Sequence, residues 1–240
     1  MSFIGVICGL KSEAQTVERS VGLSKIRVGI SGANAQRAEE CAQGFCEQGA
    51  AAIISVGISG GLDPALAPGD LVIGEATVTE SGSAFGSDRA LLNAVKAHYA
   101  KQRYAQIEGT GVDPVFGNLF GADEIIESAH KKAMLFEQHS AVAVDMESHG
   151  AARAAAHFGL PFIAIRAIAD PADRALPMAA LNAVAPDGST RIFATLGAAM
   201  RDPKQFPLLM KLGADSAAAT KTLRRDLGPL FLRFFLSLDL

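Results

Sequence analysis

Three carboxylates, Glu13, Glu147 and Asp170, each come shortly after an apolar run that reads as a β-strand. In open α/β sheets ligands bind beyond the carboxyl ends of strands, so the residues following each run are the candidates for chemistry. After FIGVIC come Gly9 and Glu13, and after IRVGI come Ser31, Gly32 and Asn34. AIISVG leads into Gly57, Ser59, Gly60 and Gly61, AVAV into Asp145-Met146-Glu147, and FIAIRAI into Asp170 and Asp173. Carboxylates sharing one rim can exchange protons or offset developing positive charge, and glycine-rich turns beside them can present backbone N–H groups. Singly, each residue also has an ordinary explanation. Glu13 and Glu147 suit the first turn of a helix through its dipole, Asp170 before Pro171 suits a turn, and the glycines suit tight turns.

Several other chemistries lack their signatures. G-I-S-G-G is not the G-x-G-x-x-G of a dinucleotide site, which disfavours a nicotinamide-dependent oxidoreductase, and neither the nucleophile elbow of a serine hydrolase nor a P-loop is expected. The five histidines, His98, His130, His139, His149 and His157, show no ligand spacing and read as surface or helix residues, so no metal is assigned. Cys8, Cys41 and Cys46 are too few for a disulfide framework and fit a reducing, cytoplasmic setting. With 22 basic against 25 acidic side chains the net charge is -3, which gives no field for nucleic acid or an anionic membrane. No basic segment precedes the apolar start, and no apolar run approaches the roughly 18 residues of a bilayer span. Neither secretion nor a membrane span is expected.

The elements that must position these residues follow from apolar patterning. Runs at 3–8, 26–30, 52–57, 71–79, 141–144 and 162–168 read as strands, several almost continuously apolar, as in strands covered on both faces by helices. Ala-rich stretches of helical period lie at 33–48, 88–101, 123–138 and 146–158, the last closed by Gly159 and Pro161. The 71–79 run follows the turn Pro68-Gly69-Asp70 with no helix between, which makes the sheet mixed. At 240 residues, 49% apolar and 20% charged, the chain reads as one self-folding α/β domain spanning 1–240. From Thr190 onward helices are predicted, broken at Pro203, Pro207, Gly213, Gly228 and Pro229, forming a C-terminal extension from about residue 200. Its end, LGPLFLRFFLSLDL, reads as a helix docked on the core or on a partner subunit; the second reading is an interfacial segment reaching toward lipid, interrupted by Arg233.

Taken together, Glu13 after the first strand, SVGISGGLDPALAPGDLVIG (55–74), AVDMESHGAARAA (143–155) and FIAIRAIADPAD (162–173) resemble the purine nucleoside phosphorylase and methylthioadenosine/S-adenosylhomocysteine nucleosidase superfamily. The resemblance runs from residue 1 to about 200. The D-M-E-S-H variant and the Pro-containing extension are most similar to the hopanoid-associated phosphorylase branch, proposed to remove adenine from adenosylhopane. It implies the three-layer phosphorylase/hydrolase-like fold, a central mixed β-sheet flanked by helices, and cleavage of a purine N-glycosidic bond. That reaction passes through an oxocarbenium-like sugar, so it needs a donor to the departing base and negative charge near the ribose.

By the family pattern Asp170 is the acid that meets purine N7, and Glu147 with Met146 grips the ribose. Glu13 falls where the nucleosidases hold a carboxylate that activates water. Ser59 and Gly60 fall on the substrate side. The aromatic that stacks on adenine is missing from FGADEII, and Phe120 and Ile125 stand in for it. The bacterial phosphorylases' Arg before the glycine turn is Ser55 here, and the family Ser within the turn is Ile58. Ser31, Gly32, Asn34 and Gly57 could still offer N–H donors to phosphate or water, with Arg37 nearby. The branch resemblance puts phosphorolysis first, with inorganic phosphate as co-substrate and no other cofactor, and hydrolysis through a Glu13-activated water second. A non-catalytic nucleoside-binding protein is the competing class. The expected partner is a small-molecule purine nucleoside, not nucleic acid, and the resemblance implies a homo-oligomer.

Overall fold

Uninterrupted apolar residues fill strand β1 (Phe3–Cys8) and dominate β8 (Phe162–Asp170), and every residue of both is buried. Strands of this kind need cover on both faces, and the computed structural model, which describes residues 2–22, 24–104, 113–176, 185–190 and 206–240, supplies it. The other strands are β2 (Ile26–Ile30), β3 (Ala50–Gly61), β4 (Leu71–Thr79), β5 (Ala84–Gly86), β6 (Val115–Gly121) and β7 (Ala141–Asp145). Their order is β2-β1-β3-β7-β6-β4-β5, and β8 pairs with both β3 and β4. β1 is parallel to β2 and β3, and β3 to β8, whereas β3 with β7 and β4 with β8 are antiparallel. The predicted mixed sheet is therefore present. It also curls on itself, because β3, β8, β4, β6 and β7 close into a ring.

One face of the sheet is covered by α1 (Lys11–Val21), α3 (Arg89–Tyr104) and α6 (Phe206–Ser237). Val17, Leu91, Val95, Leu223 and Phe231 pack there on Val6, Val56 and Ile165. The other face takes α2 (Ala35–Glu47) and α5 (Ser148–Phe158), whose Ala38, Ala42, Ala151 and Ala155 cover Ile7 and Ile53. A third cluster, around Leu62, Phe120 and Val144, lies under α4 (Ala129–His139).

Several predicted boundaries shift for local reasons. Ala33 has φ +52 and Asn34 caps α2 by accepting from the Arg37 N–H, so that helix begins later than residue 33. Ser128 caps α4 in the same way, which leaves 123–128 outside the helix predicted over 123–138. Met146 and Glu147 precede α5 instead of belonging to it. Residues 57–61, read as a turn, continue β3: Gly60 and Gly61 pair with Val144 and Ala143 of β7.

The largest correction is at the carboxyl end. Pro207, Gly213, Gly228 and Pro229 do not break the chain; one helix, α6, runs through all four, while Pro203 lies outside the described residues. An internal proline costs about 3 kcal/mol, but Leu227, Leu230, Phe231 and Phe234 on either side of Pro229 are completely buried. Burial of side chains that size contributes about 1.5–3 kcal/mol each, which outweighs the proline. Gly228 has its own reason, since a Cβ there would lie 2.9 Å from the Ser20 carbonyl of α1. The apolar tail is thus docked on the core, leaving Leu232 and Leu236 exposed. Among the described residues no helix is long and apolar enough to cross a membrane.

Candidate active site

Beyond Cys8 the chain turns through Gly9 and Leu10 into α1, which places Glu13 in the first helical turn. Its buried carboxylate folds back on that turn: Oε2 accepts the N–H groups of Gly9 (2.9 Å) and Leu10 (2.8 Å). The helix-dipole explanation covers those two bonds only. Oε1 accepts the N–H of Ile58 on β3 at 2.8 Å, tying the carboxylate to a strand 45 residues away. Gly57 beside it has no room for a side chain, because a Cβ would lie 2.8 Å from Oε1. Burial still raises the Glu13 pKa despite the three donors.

At the end of β7 the helix-capping duty falls to Asp145. Its Oδ1 accepts the N–H groups of Glu147 (2.8 Å) and Ser148 (2.7 Å), and its Oδ2 accepts from Arg166 Nε at 3.0 Å. Burial opposes its charge, but Arg166 and these N–H groups hold the Asp145 pKa below the usual range. Arg166, itself buried on β8, also donates to Ser55 Oγ (2.7 Å) and to its neighbouring carbonyl at Ile165 (2.9 Å). Glu147 is left without a structural task. It accepts a 3.3 Å bond from Met146 N–H and stands 3.9 Å from Arg166 Nη2. Burial pushes its pKa up to about 8, with the charges of Asp145 and Glu13 adding and Arg166 opposing. Three carboxyl groups thus share one guanidinium.

Asp170 closes β8, where a register shift between Ser59 and Gly60 sets it opposite Gly60. Its Oδ2 accepts from the ammonium of Lys132 on α4, while its Oδ1 is buried without a hydrogen-bond partner among the described residues. Burial raises its pKa and Lys132 opposes the shift. Glu13 and Glu147 therefore meet across Gly9, and Asp170 stands further along β3: Gly57 and Ile58 abut Glu13, whereas a Cβ at Gly60 would lie 3.6 Å from Asp170 Oδ2. The separation along the strand is about 10 Å.

The remaining candidates divide. Ser31 and Gly32 spend their N–H groups on the carbonyls of Cys8 and Gly9, each at 2.9 Å, and the Arg37 guanidinium binds the carbonyls of Ser31 and Gly32. Asn34 is the α2 cap. Phe120 is buried with its ring 4.8 Å from that of His139, and Ile125 is exposed between β6 and α4. Met146 is half-buried. Ser59 Oγ is buried without a partner among the described residues. Contrary to the expectation from sequence, residues 57–61 do spell the G-x-S-x-G of a nucleophile elbow, but an elbow needs a sharp strand-to-helix turn, and here the run lies within β3. Among the described residues no group of three or more His, Cys, Asp or Glu is placed to hold a metal ion.

Two charged residues of the site were not singled out from sequence, Lys132 and Arg166. Each carried a signal. Arg166 interrupts an apolar strand that must be buried, and Lys132 shares a helical face with Leu135 and Phe136, three and four residues on; a charge in either place needs a partner from elsewhere in the chain.

A family model described as the phosphorylase superfamily matches residues 12–200. A 5'-methylthioadenosine/S-adenosylhomocysteine nucleosidase of Baumannia cicadellinicola is 33% identical over 132 residues, 50% of this chain and 57% of that protein, so the match spans little more than half of the relative's length. Among solved structures, the futalosine hydrolase of Helicobacter pylori superposes with a TM-score of 0.67 at 17% identity, covering 93% of this chain and 96% of that one. The 5'-methylthioadenosine/S-adenosylhomocysteine nucleosidase of Neisseria meningitidis, in complex with methylthio-immucillin-A, gives 0.66 at 19% identity, over 95% and 100%. These structural likenesses concern the fold, and the family match covers the segments that carry Glu13, Glu147 and Asp170. This chain belongs to the phosphorylase superfamily.

Proposed function

We propose that the protein hydrolyses the N-glycosidic bond of a purine nucleoside, releasing adenine, in the manner of the methylthioadenosine/S-adenosylhomocysteine nucleosidases. One observation carries the choice of water as nucleophile: the Glu13 carboxylate holds the N–H groups of Gly9, Leu10 and Ile58. A phosphate would need such donors for itself and would meet a carboxylate already there. The order expected from sequence, phosphorolysis first, is therefore reversed.

In this reading Glu13 takes a proton from water as its oxygen bonds to C1′, the C1′–N9 bond breaks, and the bonding pair passes to the purine. Asp170 donates a proton to N7, so adenine leaves neutral instead of as an anion. The other product is the free sugar. Glu147 faces the ribose hydroxyls, and the Glu13 carboxylate beside it across Gly9 offsets the positive charge that develops on the sugar. An apolar 5′ substituent, as in adenosylhopane, is the finer proposal, resting on the D-M-E-S-H resemblance alone. The test is adenine release from adenosine and from a 5′-apolar adenine nucleoside, each with and without inorganic phosphate. Equal rates and free sugar are expected, whereas phosphate dependence with a sugar 1-phosphate product would overturn hydrolysis.

A further inference from the structure

Helix α4 buries one residue completely among its apolar neighbours, and that residue is a lysine. A buried ammonium is tolerable only when all three of its donors are satisfied. Lys132 Nζ donates to Asp170 Oδ2, to the Pro171 carbonyl at 2.9 Å and to the Arg174 carbonyl at 3.0 Å. All three acceptors belong to one short stretch, residues 170–174, which leaves β8 and carries the proposed acid. The lysine stem reaches them past Gly60, where a Cβ would lie 4.0 Å from Lys132 Cε and 3.2 Å from Val144 Cγ1.

Stability alone is a poor reason for this arrangement, because replacing a buried ion pair by apolar side chains is often neutral or stabilising. The pair has a consequence for geometry instead. With Oδ2 held, the carboxylate cannot rotate freely, and Oδ1 remains buried without a partner among the described residues. We infer that Lys132 is a positioning residue for Asp170, clamping the turn after β8 so that Oδ1 alone is offered to the purine. The inference rests on Asp170 acting as the acid of the proposed reaction. The charged groups around Asp170 are Lys132 from α4, Arg174 from the turn and Asp215 from α6, the last two paired with each other. Lys132 is thus the cation bonded directly to the carboxylate, and it keeps the proton transferable by opposing the effect of burial.

The experiment compares Lys132→Met, Lys132→Arg and Asp170→Asn with the unaltered chain, measuring adenine release against pH and folding by circular dichroism. Lys132→Met is expected to lower kcat by about 10- to 100-fold with KM changed less than about threefold. The high-pH limb of kcat/KM, which reports loss of the acid's proton, should move up by about one pH unit or more. Lys132→Arg keeps the charge but not the three bonds, so its high-pH limb should stay in place while kcat falls. A folded Lys132→Met enzyme with unchanged kcat and unchanged pH limb overturns the inference. If Lys132→Met does not fold, an arginine variant with unaltered kcat overturns it equally. Asp170→Asn separates the two claims, since near-normal turnover there would remove the acid assignment whatever Lys132 does.

Discussion

Glu13 and Glu147 approach each other across Gly9: a methyl group on Gly9 would lie 2.3 Å from Glu147 Oε1 and 3.5 Å from Glu13 Oε2. Residues 134 apart in sequence are brought together because β1 and β7 both flank β3, with the carboxylates on the turns that follow them. Their unequal surroundings set their unequal behaviour. Glu13 has three N–H donors from the backbone, whereas Glu147 has one long bond and a distant guanidinium. Two carboxyl groups whose surroundings differ in this way can serve different steps of one reaction.

Gly9→Ala tests that proximity. The atom a methyl would strike is the far end of a side chain, which can swing aside, so stability should change by less than about 1 kcal/mol. Adenine release should nevertheless fall by about 100-fold, as Glu147 leaves its place. A stable variant with undiminished turnover would show that the two carboxylates need not meet.

Removing the Glu13 side chain should convert its donors into an anion site at the amino end of α1. Inorganic phosphate at ten times its dissociation constant is predicted to raise the Tm of Glu13→Ala by about 3–5 °C and to leave the unaltered protein unchanged. The check is thermal unfolding across a phosphate titration; equal shifts in both proteins would mean that the carboxylate does not fill the donors.

The state of Glu147 predicts how stability depends on pH. Its pKa rises from 4.5 in the unfolded chain to about 8 in the folded one. Between those values the folded protein holds a proton that the unfolded chain has lost, so this group's contribution weakens as pH increases through the interval. Glu147→Gln removes the effect. Its Tm should match that of the unaltered protein near pH 4.5 and exceed it by about 10 °C at pH 8.5, although activity is lost. A gap that does not widen with pH would contradict the assignment.

Much of the framework could be read from the sequence because burial leaves a pattern. β4 has the predicted bounds, and the continuous apolar runs of β1 and β8 gave away a sheet covered on both sides. β6, with Gly117 and Asn118 in its middle, and the three-residue β5 carry too little apolar patterning to be seen. The position of Glu13 after β1 and of Glu147 after β7 was readable as strand-end placement. What paired with them was not, because the Ile58 N–H and the Arg166 guanidinium come from other strands, and only the pairing of β3 with β1, β7 and β8 brings them into reach. α6 misled the reading because local breakers are overruled by burial that sequence alone does not display.

The docked tail gives a stability prediction. Phe231 is completely buried, whereas its neighbour Leu232 is 58% exposed. Phe231→Ala should destabilise by about 3–5 kcal/mol and Leu232→Ala by no more than about 0.5 kcal/mol, measured by urea unfolding. Similar effects at the two positions would place the helix on a different face.

Whether water is the nucleophile can be read from the product itself. Adenosine, or a 5′-apolar adenine nucleoside, is turned over in ¹⁸O-labelled water containing millimolar phosphate, and the sugar is examined by mass spectrometry. The expected product is a free sugar carrying one ¹⁸O at its anomeric hydroxyl, with no phosphorylated sugar. A sugar 1-phosphate as the first product would contradict hydrolysis.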